Sequence, residues 1–367
     1  MLMKRALPSL LSSLKPNLIS KYKSILKRNF ILGIETSCDD TGLAILSESG
    51  KILGECIHTQ KSTRFGGVIP SFAMAFHAEA LPKALDSVIE QATGERINDL
   101  ENLKNQGVQL IAVTNRPGLS GSLSVGIKFA KYLCLKNKLS MIPIHHMEAH
   151  ALTARMVQEI PFPYLVLLAS GGHCLLALAE GVDKFRLLGK QLDNSPGEII
   201  DKISRRLKLH VLREDLRDLS GGRAMEIVGN DGDPHAFSFN IPLRNKRSCD
   251  FSFAGYRTHV QETLDRIEKQ INLEPDTFIP DINSFCASVE YGIAKHLCER
   301  VQRGIEYLDI ENLWPEKNGD ISKRTLVVSG GVASNQRIRD LLGQVIKLVL
   351  FNLMERRGHI KFVICSR

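Results

Sequence analysis

The chain has 367 residues, 43% hydrophobic and 24% charged, with a formal net charge of +8. That length and balance suit two lobes or domains with cores of their own and exclude a low-complexity or solenoid chain. No apolar run reaches the roughly 18 residues of a membrane span, so no membrane is expected among its partners.

Residues 1–30 differ from the rest. They hold Lys4, Arg5, Lys15, Lys21, Lys23, Lys27 and Arg28 and no acid, with Ser and Leu between; the first carboxylate is Glu35. This suits a mitochondrial transit peptide and hence the matrix. A basic tail that binds RNA is the alternative, and the interspersed Leu and Ile favour the first reading. Without the seven leader bases, the 48 Lys and Arg fall to 41 against 40 Asp and Glu. Nucleic-acid contact must then come from a local patch. Two clusters are candidates: Arg205, Arg206 and Lys208, and Arg244, Lys246 and Arg247. Solvated helix and loop faces account for either taken alone. The eight cysteines form no C-x-x-C pair and mostly sit in apolar runs, as buried free thiols do.

From Phe30 the pattern changes. Ile31–Glu35, Gly42–Leu46 and Ile52–Ile57 are short apolar runs around tight turns, which predicts an antiparallel meander. Helical spacing follows in Phe72–Ala92, a buried strand in Val108–Thr114, a helix in Ser122–Leu135 and a strand in Ser140–Ile144. Met147–Val157 reads as a helix. The theme then returns. Tyr164–Ala169, the turn Ser170–His173, and Cys174–Ala179 form a second apolar pair, with Phe185–Leu188 as a third run. Helical Glu198–Leu207, the strand Thr325–Val328, the turn Ser329-Gly330-Gly331 and helical Ser334–Leu342 close the series. Two similar β-β-β-α-β-α halves, over 31–157 and 158–342, predict a duplicated α/β fold of two lobes with a central cleft. Actin, the 70-kilodalton heat-shock chaperones and the sugar kinases have this arrangement. A single mixed α/β domain with insertions would read similarly.

The polar turns at strand ends carry the chemistry. Gly- or Ser-rich turns present backbone N–H groups that can bind phosphate. Asp39 or Asp40, in the first turn, stands where a metal or a phosphate-bound water could be held; a hydrogen-bonded turn Asp is the plain alternative. His146 and His150 are four apart and fall on one helix face, where they can share one metal ion. The zincin pattern H-E-x-x-H is not met, because Met147 follows His146 and Glu148 projects elsewhere.

Eight segments resemble, in order, the motifs of one family. Gly33–Thr41 (GIETSCDDT) looks like G-I-E-T-S-C-D-(D/E)-T, Gly66–Pro70 like G-G-V-(V/I)-P, and Arg116–Leu119 like G-P-G-L with Arg for the first Gly. His146–His150 reproduces H-M-E-(A/G)-H, and Ala169–His173 resembles (V/A)-S-G-G-H. Asp193–Lys202 resembles D-x-A-x-G-E-x-x-D-K, Asp250–Gly255 resembles D-F-S-F-(S/T)-G apart from Ala254, and Gly330–Asn335 resembles G-G-V-(A/S)-x-N. The family is the tRNA threonylcarbamoyladenosine transferases, once described as O-sialoglycoprotein endopeptidases; the leader and the stretch HHMEAHALTAR resemble its mitochondrial branch. The resemblance implies an acyltransferase that moves the threonylcarbamoyl group from threonylcarbamoyl-AMP, made by a separate synthase, to the exocyclic amine of the adenosine 3′ to the anticodon. The acceptors would be mitochondrial tRNAs reading codons that begin with A. It also implies a homodimer and one divalent metal ion, zinc or iron, with His146 and His150 as ligands. Leu168, Ala169, Ser170, Gly171 and Gly172 would line the donor site. Asp201, Gly222 and Asn335 would hold the nucleotide, and Asp39 and Asp40 would lie at the phosphate-side turn as catalytic residues. Attack by a weakly nucleophilic amine needs orientation and oxyanion stabilisation rather than a Ser or Cys nucleophile.

The C-terminus departs from the pattern. The family's third ligand is an Asp in a C-T-D-N-G segment, and after Asn335 the only Asp is Asp340, inside a helix. Gly343–Arg367 resembles no closing strand and helix, so a truncation is expected, with poor metal binding and little activity unless Glu355 or His359 substitutes as a ligand. Other readings are a metallopeptidase resting on the His pair and a non-catalytic nucleotide-binding isoform.

Overall fold

The computed structural model describes residues 29–60, 68–96, 100–274, 277–313, 324–353 and 361–365. The expected leader up to residue 28, Gly66-Gly67, Glu355 and His359 lie outside them. The chain forms two compact units. One runs to Gln60 and resumes over Val68–His146; the other holds Met147 onward.

The first unit is built on one five-stranded sheet: β1 (Phe30–Glu35), β2 (Asp40–Ser47), β3 (Ile52–Thr59), β4 (Val108–Arg116) and β5 (Ser140–His145). Its spatial order is β3-β2-β1-β4-β5. The first three strands pair antiparallel, and β4 and β5 add in parallel. Phe30, Leu32 and Ile34 are buried while their neighbours are half-buried, the period of a strand with one face on a core. Helix α1 (Pro70–Thr93) crosses from β3 to β4. It opens on Pro70, whose missing N–H is no loss in a first turn. It closes at Gly94, where φ of 78° lets the N–H donate to the Glu90 carbonyl. Leu81, Leu85, Val88 and Ile89 of α1 join Leu32, Ile34, Ile45 and Ile111 in one core. Helix α2 (Ser120–Asn137) links β4 to β5 and packs on α1.

The second unit repeats this plan. Strands β6 (Tyr164–Ala169), β7 (Cys174–Ala179), β8 (Phe185–Lys190), β9 (Thr325–Ser329) and β10 (Lys361–Cys365) lie in the order β10-β9-β6-β7-β8. Pairing is again antiparallel among the first three and parallel for the last two. In both units the first strand is central, flanked by the second and the fourth. This is the expected duplicated mixed α/β fold, carried by two sheets of one topology. The crossover from β8 to β9 holds helices α5 (Pro196–Arg206), α6 (Leu209–Leu212), α7 (Gly221–Gly229), α8 (Ala254–Gln270) and α9 (Ile282–Ile310). Two further helices, α3 (His146–Leu152) and α4 (Ala154–Val157), precede β6. Every residue of β6 is buried. Leu165, Leu167 and Ala169 face the core built with α5, α7, α8 and α9; Tyr164, Val166 and Leu168 face Met147, Ala151 and Ala154.

Two expectations change. The boundary after Val157 falls inside the second unit, because the apolar side of α3 and α4 is seated on β6 and the Tyr164 hydroxyl donates to the Ala151 carbonyl at 3.0 Å. The tail does carry regular structure: α10 (Gln336–Leu353) runs past Leu342, and β10 pairs in parallel with β9. The apolar run of β10 is too short to be told from loop or helix by periodicity, and only pairing along β9 makes it a strand.

Candidate functional site

In the first unit the chemistry gathers where β1, β4 and β5 end. Parallel neighbours bring Glu35, Thr114 and the His145-His146 step to one edge. The Glu35 carboxylate accepts from the Ser37 N–H and the Thr114 hydroxyl, each at 2.5 Å. Its Oε2 lies 3.1 Å from His146 Nδ1, and the Ser37 hydroxyl lies 3.2 Å from the same nitrogen. Burial pushes the Glu35 carboxyl up, but His146, Ser37 and Thr114 together outweigh it and hold the group at about 2. Ionised, Glu35 can only accept, so Nδ1 of His146 carries the hydrogen. An imidazole so oriented by a carboxylate is the usual outer partner of a metal-binding histidine.

The turn after β1 is packed from behind. His77 of α1 is fully buried, 2.9 Å from the Cys38 carbonyl through Nε2 and 2.7 Å from the Thr41 hydroxyl through Nδ1. The carbonyl can only accept, so Nε2 donates and Nδ1 accepts from Thr41. The Thr36 hydroxyl donates to the Ser122 carbonyl at 3.0 Å. A Cβ at Gly118 would stand 2.5 Å from the Ser37 carbonyl oxygen, and one at Gly126 would strike the Thr36 hydroxyl. Asp39 and Asp40 are both partly exposed; the Asp39 carbonyl accepts from Gln60 N–H at 3.1 Å, and Asp40 opens β2. Burial, then the charge of Asp39, pushes the Cys38 thiol up to about 12, so it is protonated at neutral pH and is no activated nucleophile.

In the second unit the turn after β6 is open. Gly171 and Gly172 are exposed, and a Cβ at either would meet nothing within 4 Å. The Ser170 hydroxyl accepts from His173 N–H at 3.0 Å, and the Ser195 hydroxyl donates to the Gly171 carbonyl at 2.6 Å. Ser195 also caps α5 by accepting from Glu198 N–H at 3.3 Å. Gly197, at the start of α5, donates to the Ser170 carbonyl at 3.3 Å, and a Cβ there would lie 2.7 Å from Gly171 Cα. Gln191 holds both ends of the turn: its amide donates to the Gly172 carbonyl at 2.9 Å and accepts from Cys174 N–H. Helix α5 also packs on the turn Gly331–Ser334, and Gly330 lies against the Ala169 carbonyl.

The other expected residues fall as follows. Leu168 and Ala169 are buried in the two cores flanking β6, so a ligand could meet only their backbone; Ser170, Gly171 and Gly172 are what the turn offers. Asp201 is exposed on α5, and a Cβ at Gly221 would lie 2.5 Å from its Oδ1, whereas a Cβ at the next residue, Gly222, would meet only the Ile200 side chain at 3.8 Å. Asn335 is buried, and both ends of its amide are in use. Oδ1 accepts from Ile338 N–H at 3.0 Å, capping α10, and Nδ2 donates to Glu290 at 2.6 Å. His146 and His150 share α3 and are half-buried. Among the described residues no group of three or more His, Cys, Asp and Glu has ligating geometry.

Sequence reasoning gave no role to Glu35, His77, Gln191, Asp193 or Ser195. Asp193 accepts from the Ser252 hydroxyl at 2.6 Å and from the backbone N–H groups of Phe253 and Ala254 at 2.7 and 3.2 Å, which ties the D-F-S-F segment down. Some signals were legible. Glu35 ends an apolar strand with a charge, His77 interrupts the apolar face of α1, and Ser195-Pro196-Gly197-Glu198 has the capping-box spacing.

Known proteins are similar to this chain. A profile of the family described as TsaD, tRNA N6-adenosine threonylcarbamoyltransferase, matches residues 51–355, which takes in the first part of the tail set apart above. The mitochondrial tRNA N6-adenosine threonylcarbamoyltransferase of Danio rerio is 40% identical over 323 residues, covering 88% of this chain and 76% of its own length. The probable mitochondrial enzyme of Drosophila melanogaster is 43% identical over 317 residues, covering 84% and 74%. Among solved structures, (R)-2-hydroxyglutaryl-CoA dehydratase component A of Acidaminococcus fermentans is 14% identical and covers 91% of each chain with a TM-score of 0.46. No helix among the described residues is long and apolar enough to cross a membrane. The chain belongs to the tRNA N6-adenosine threonylcarbamoyltransferase family, a family of transferases, and its animal relatives group it with the mitochondrial members.

Proposed function

We propose that this protein transfers the threonylcarbamoyl group of threonylcarbamoyl-AMP to the exocyclic amine of the adenosine 3′ to the anticodon, in mitochondrial tRNAs that read codons beginning with A. The observation that carries this is the family match over residues 51–355, joined to an open glycine turn at the N-terminus of α5. The amine nitrogen bonds to the carbamoyl carbon, the bond from that carbon to the phosphate oxygen breaks, AMP leaves, and the amine loses one proton. AMP is a good leaving group, so the chain's task is to orient and to stabilise charge. Backbone N–H groups of Gly171 and Gly172 suit the donor's phosphate or the oxyanion, with Ser195 and Gln191 keeping the turn in shape. Asp201 and Gly222 flank the nucleotide part. Asn335, as a helix cap bound to Glu290, serves that site by positioning the Gly330–Ser334 turn. Asp39 and Asp40 line the first turn.

The residues fit a divalent ion, zinc or iron, as two imidazole donors. Glu35 occupies Nδ1 of His146, the outer-partner arrangement that leaves Nε2 with the lone pair, and His150 follows one helical turn on. Bound there, the ion would supply Lewis-acid polarisation. The leader over residues 1–30 serves as the transit peptide, the enzyme works as a homodimer, and a separate synthase supplies the donor.

The test is incubation of the purified protein with threonylcarbamoyl-AMP and unmodified mitochondrial tRNA, followed by nucleoside mass spectrometry. Threonylcarbamoyladenosine at the position after the anticodon is expected; its absence with intact donor sinks the proposal. Elemental analysis of His146→Ala and His150→Ala should show metal lost from both.

A further inference from the structure

Of the two basic clusters in the sequence, the structure treats them differently. Arg206 is consumed locally. Its guanidinium donates to both Glu268 oxygens at 2.8 and 2.6 Å and to Asp265 at 2.8 Å, which also holds its charge firmly on. The second cluster lies on an exposed loop ahead of the D-F-S-F segment. Arg244, Lys246 and Arg247 are all exposed, and neither Lys246 nor Arg247 has an ion-pair partner among the described residues. Arg244 has one distant carboxylate, Glu299, at 3.9 Å.

The backbone of this loop is not left to solvent. Arg300 of α9 is fully buried and donates through Nη1 to the carbonyls of Lys246 at 3.3 Å and Ser248 at 3.1 Å. Arg303, one turn on, donates to the Arg244 carbonyl at 2.7 Å. Burying a guanidinium is costly, and Arg300 Nε has no hydrogen-bond partner. Among the described residues its carboxylate neighbour is Glu299, 3.7 Å from Nη2. Arg300 and Arg303 both place cationic groups beneath the loop, with burial and then the charge of Arg303 lowering the Arg300 pKa. The carbonyls point inward to these two cations, the three basic side chains lie outward, and Lys190 on the neighbouring edge strand is exposed too. The loop also leads without a break to the candidate site. Lys190 N–H donates to Asp250 at 3.1 Å, Leu192 N–H to the Phe251 carbonyl at 2.8 Å, and Gln191 between them holds the Gly172 turn.

We infer that the clamped loop Arg244–Ser248, with Lys190, is a contact surface for the phosphodiester backbone of the tRNA acceptor. Phosphate contacts fix register and orientation, and they need positive donors on a preset backbone rather than apolar area. The inference rests on the tRNA-transferase reading above. RNA is favoured over an anionic lipid surface because the loop presents no exposed large apolar side chain to enter a membrane.

The experiment measures binding of the full chain to unmodified tRNA across a salt series, together with transfer kinetics, for wild type and for Arg244→Ala/Lys246→Ala/Arg247→Ala. The surface predicts tenfold or weaker binding, a salt slope reduced by about 0.7–0.9 per lost contact, and a raised KM for tRNA with kcat and KM for threonylcarbamoyl-AMP kept. A second variant, Arg205→Ala/Lys208→Ala, should bind as wild type does. Thermal melting separates loss of contact from loss of fold. The double variant Arg244→Lys/Arg247→Lys should keep most binding, because phosphate needs charge. Unchanged tRNA affinity and salt slope in a folded Ala variant overturn the surface. So does loss of binding to cardiolipin-containing vesicles with tRNA binding intact. Wild-type protein that binds tRNA by this loop but transfers nothing would overturn the parent reading and leave the surface standing.

Discussion

The two units share one strand order and use it differently. Among the described residues, the crossover from third to fourth strand in the first holds one α-helix, α1; in the second it holds five, α5 to α9. The consequence is visible in the central strands. β1 buries alternate residues, while β6 buries every residue because helices cover both faces. The turns that follow differ in the opposite sense. The Thr36–Asp39 turn is packed by His77, Gly118 and Gly126, whereas the Ser170–His173 turn has two exposed glycines at its centre. One unit therefore invests its packing behind the turn and holds side chains there; the other invests it beneath the strand and leaves the turn's backbone open. Topology alone does not decide where a ligand can reach.

This contrast can be broken by substitution. Leu167→Ala on β6 should cost about 3 kcal/mol in urea unfolding, since it empties a space in a core that cannot collapse from either face. Ile31→Ala on the half-buried side of β1 should cost about 1 kcal/mol or less. Equal losses would show that the two central strands are not differently loaded.

At the turns, Gly126→Ala should destabilise by about 2 kcal/mol, because the new methyl meets the buried Thr36 hydroxyl and outweighs the gain in helix propensity. Gly171→Ala should change stability by about 0.5 kcal/mol or less, having open space. If Gly171 lines the donor site, this second variant nevertheless loses turnover, so melting temperature and transfer rate should separate in it. A melting loss at Gly171 matching that at Gly126 would erase the distinction between a packed and an open turn.

The added helices of the second unit also bury a carboxylate. Burial lifts Glu290 to about 7, against the opposing pull of the Asn335 amide and Arg337. An unfolded carboxyl titrates near 4.5. The folded pKa is the higher one, so this contribution to stability is full below pH 4.5 and is lost as pH rises through about 7. Glu290→Gln keeps an acceptor for Asn335 and carries no charge. Between about pH 5 and 8 the wild type should lose on the order of 1 kcal/mol or somewhat more relative to it, read from denaturation at each pH. Parallel pH profiles would mean that Arg337, 3.4 Å away, neutralises the site.

Much was legible in the residues themselves. The three-strand meanders, the helix after each and the His146–His150 spacing follow from period-2 and period-3.6 patterns and need no partner element to be seen. The ordered motifs placed the chain in its family. Other features exist only in the folded molecule. Glu35 meets His146 because β1, β4 and β5 end at one edge, and they are far apart along the chain. The boundary at His146–Met147 is set by what α3 packs on, and β10 becomes a strand by pairing with β9. Asn335 looks like a ligand in a glycine-rich motif, and only the folded chain shows that its amide also caps a helix end and binds Glu290. The two basic clusters read alike as charge runs; the tertiary structure divides them by pairing Arg206 with carboxylates and turning Arg300 and Arg303 toward the backbone of residues 244–248. The physical reason is the same throughout. Local patterning reports which face of an element is apolar, whereas hydrogen-bond and charge partners are chosen by which elements come together.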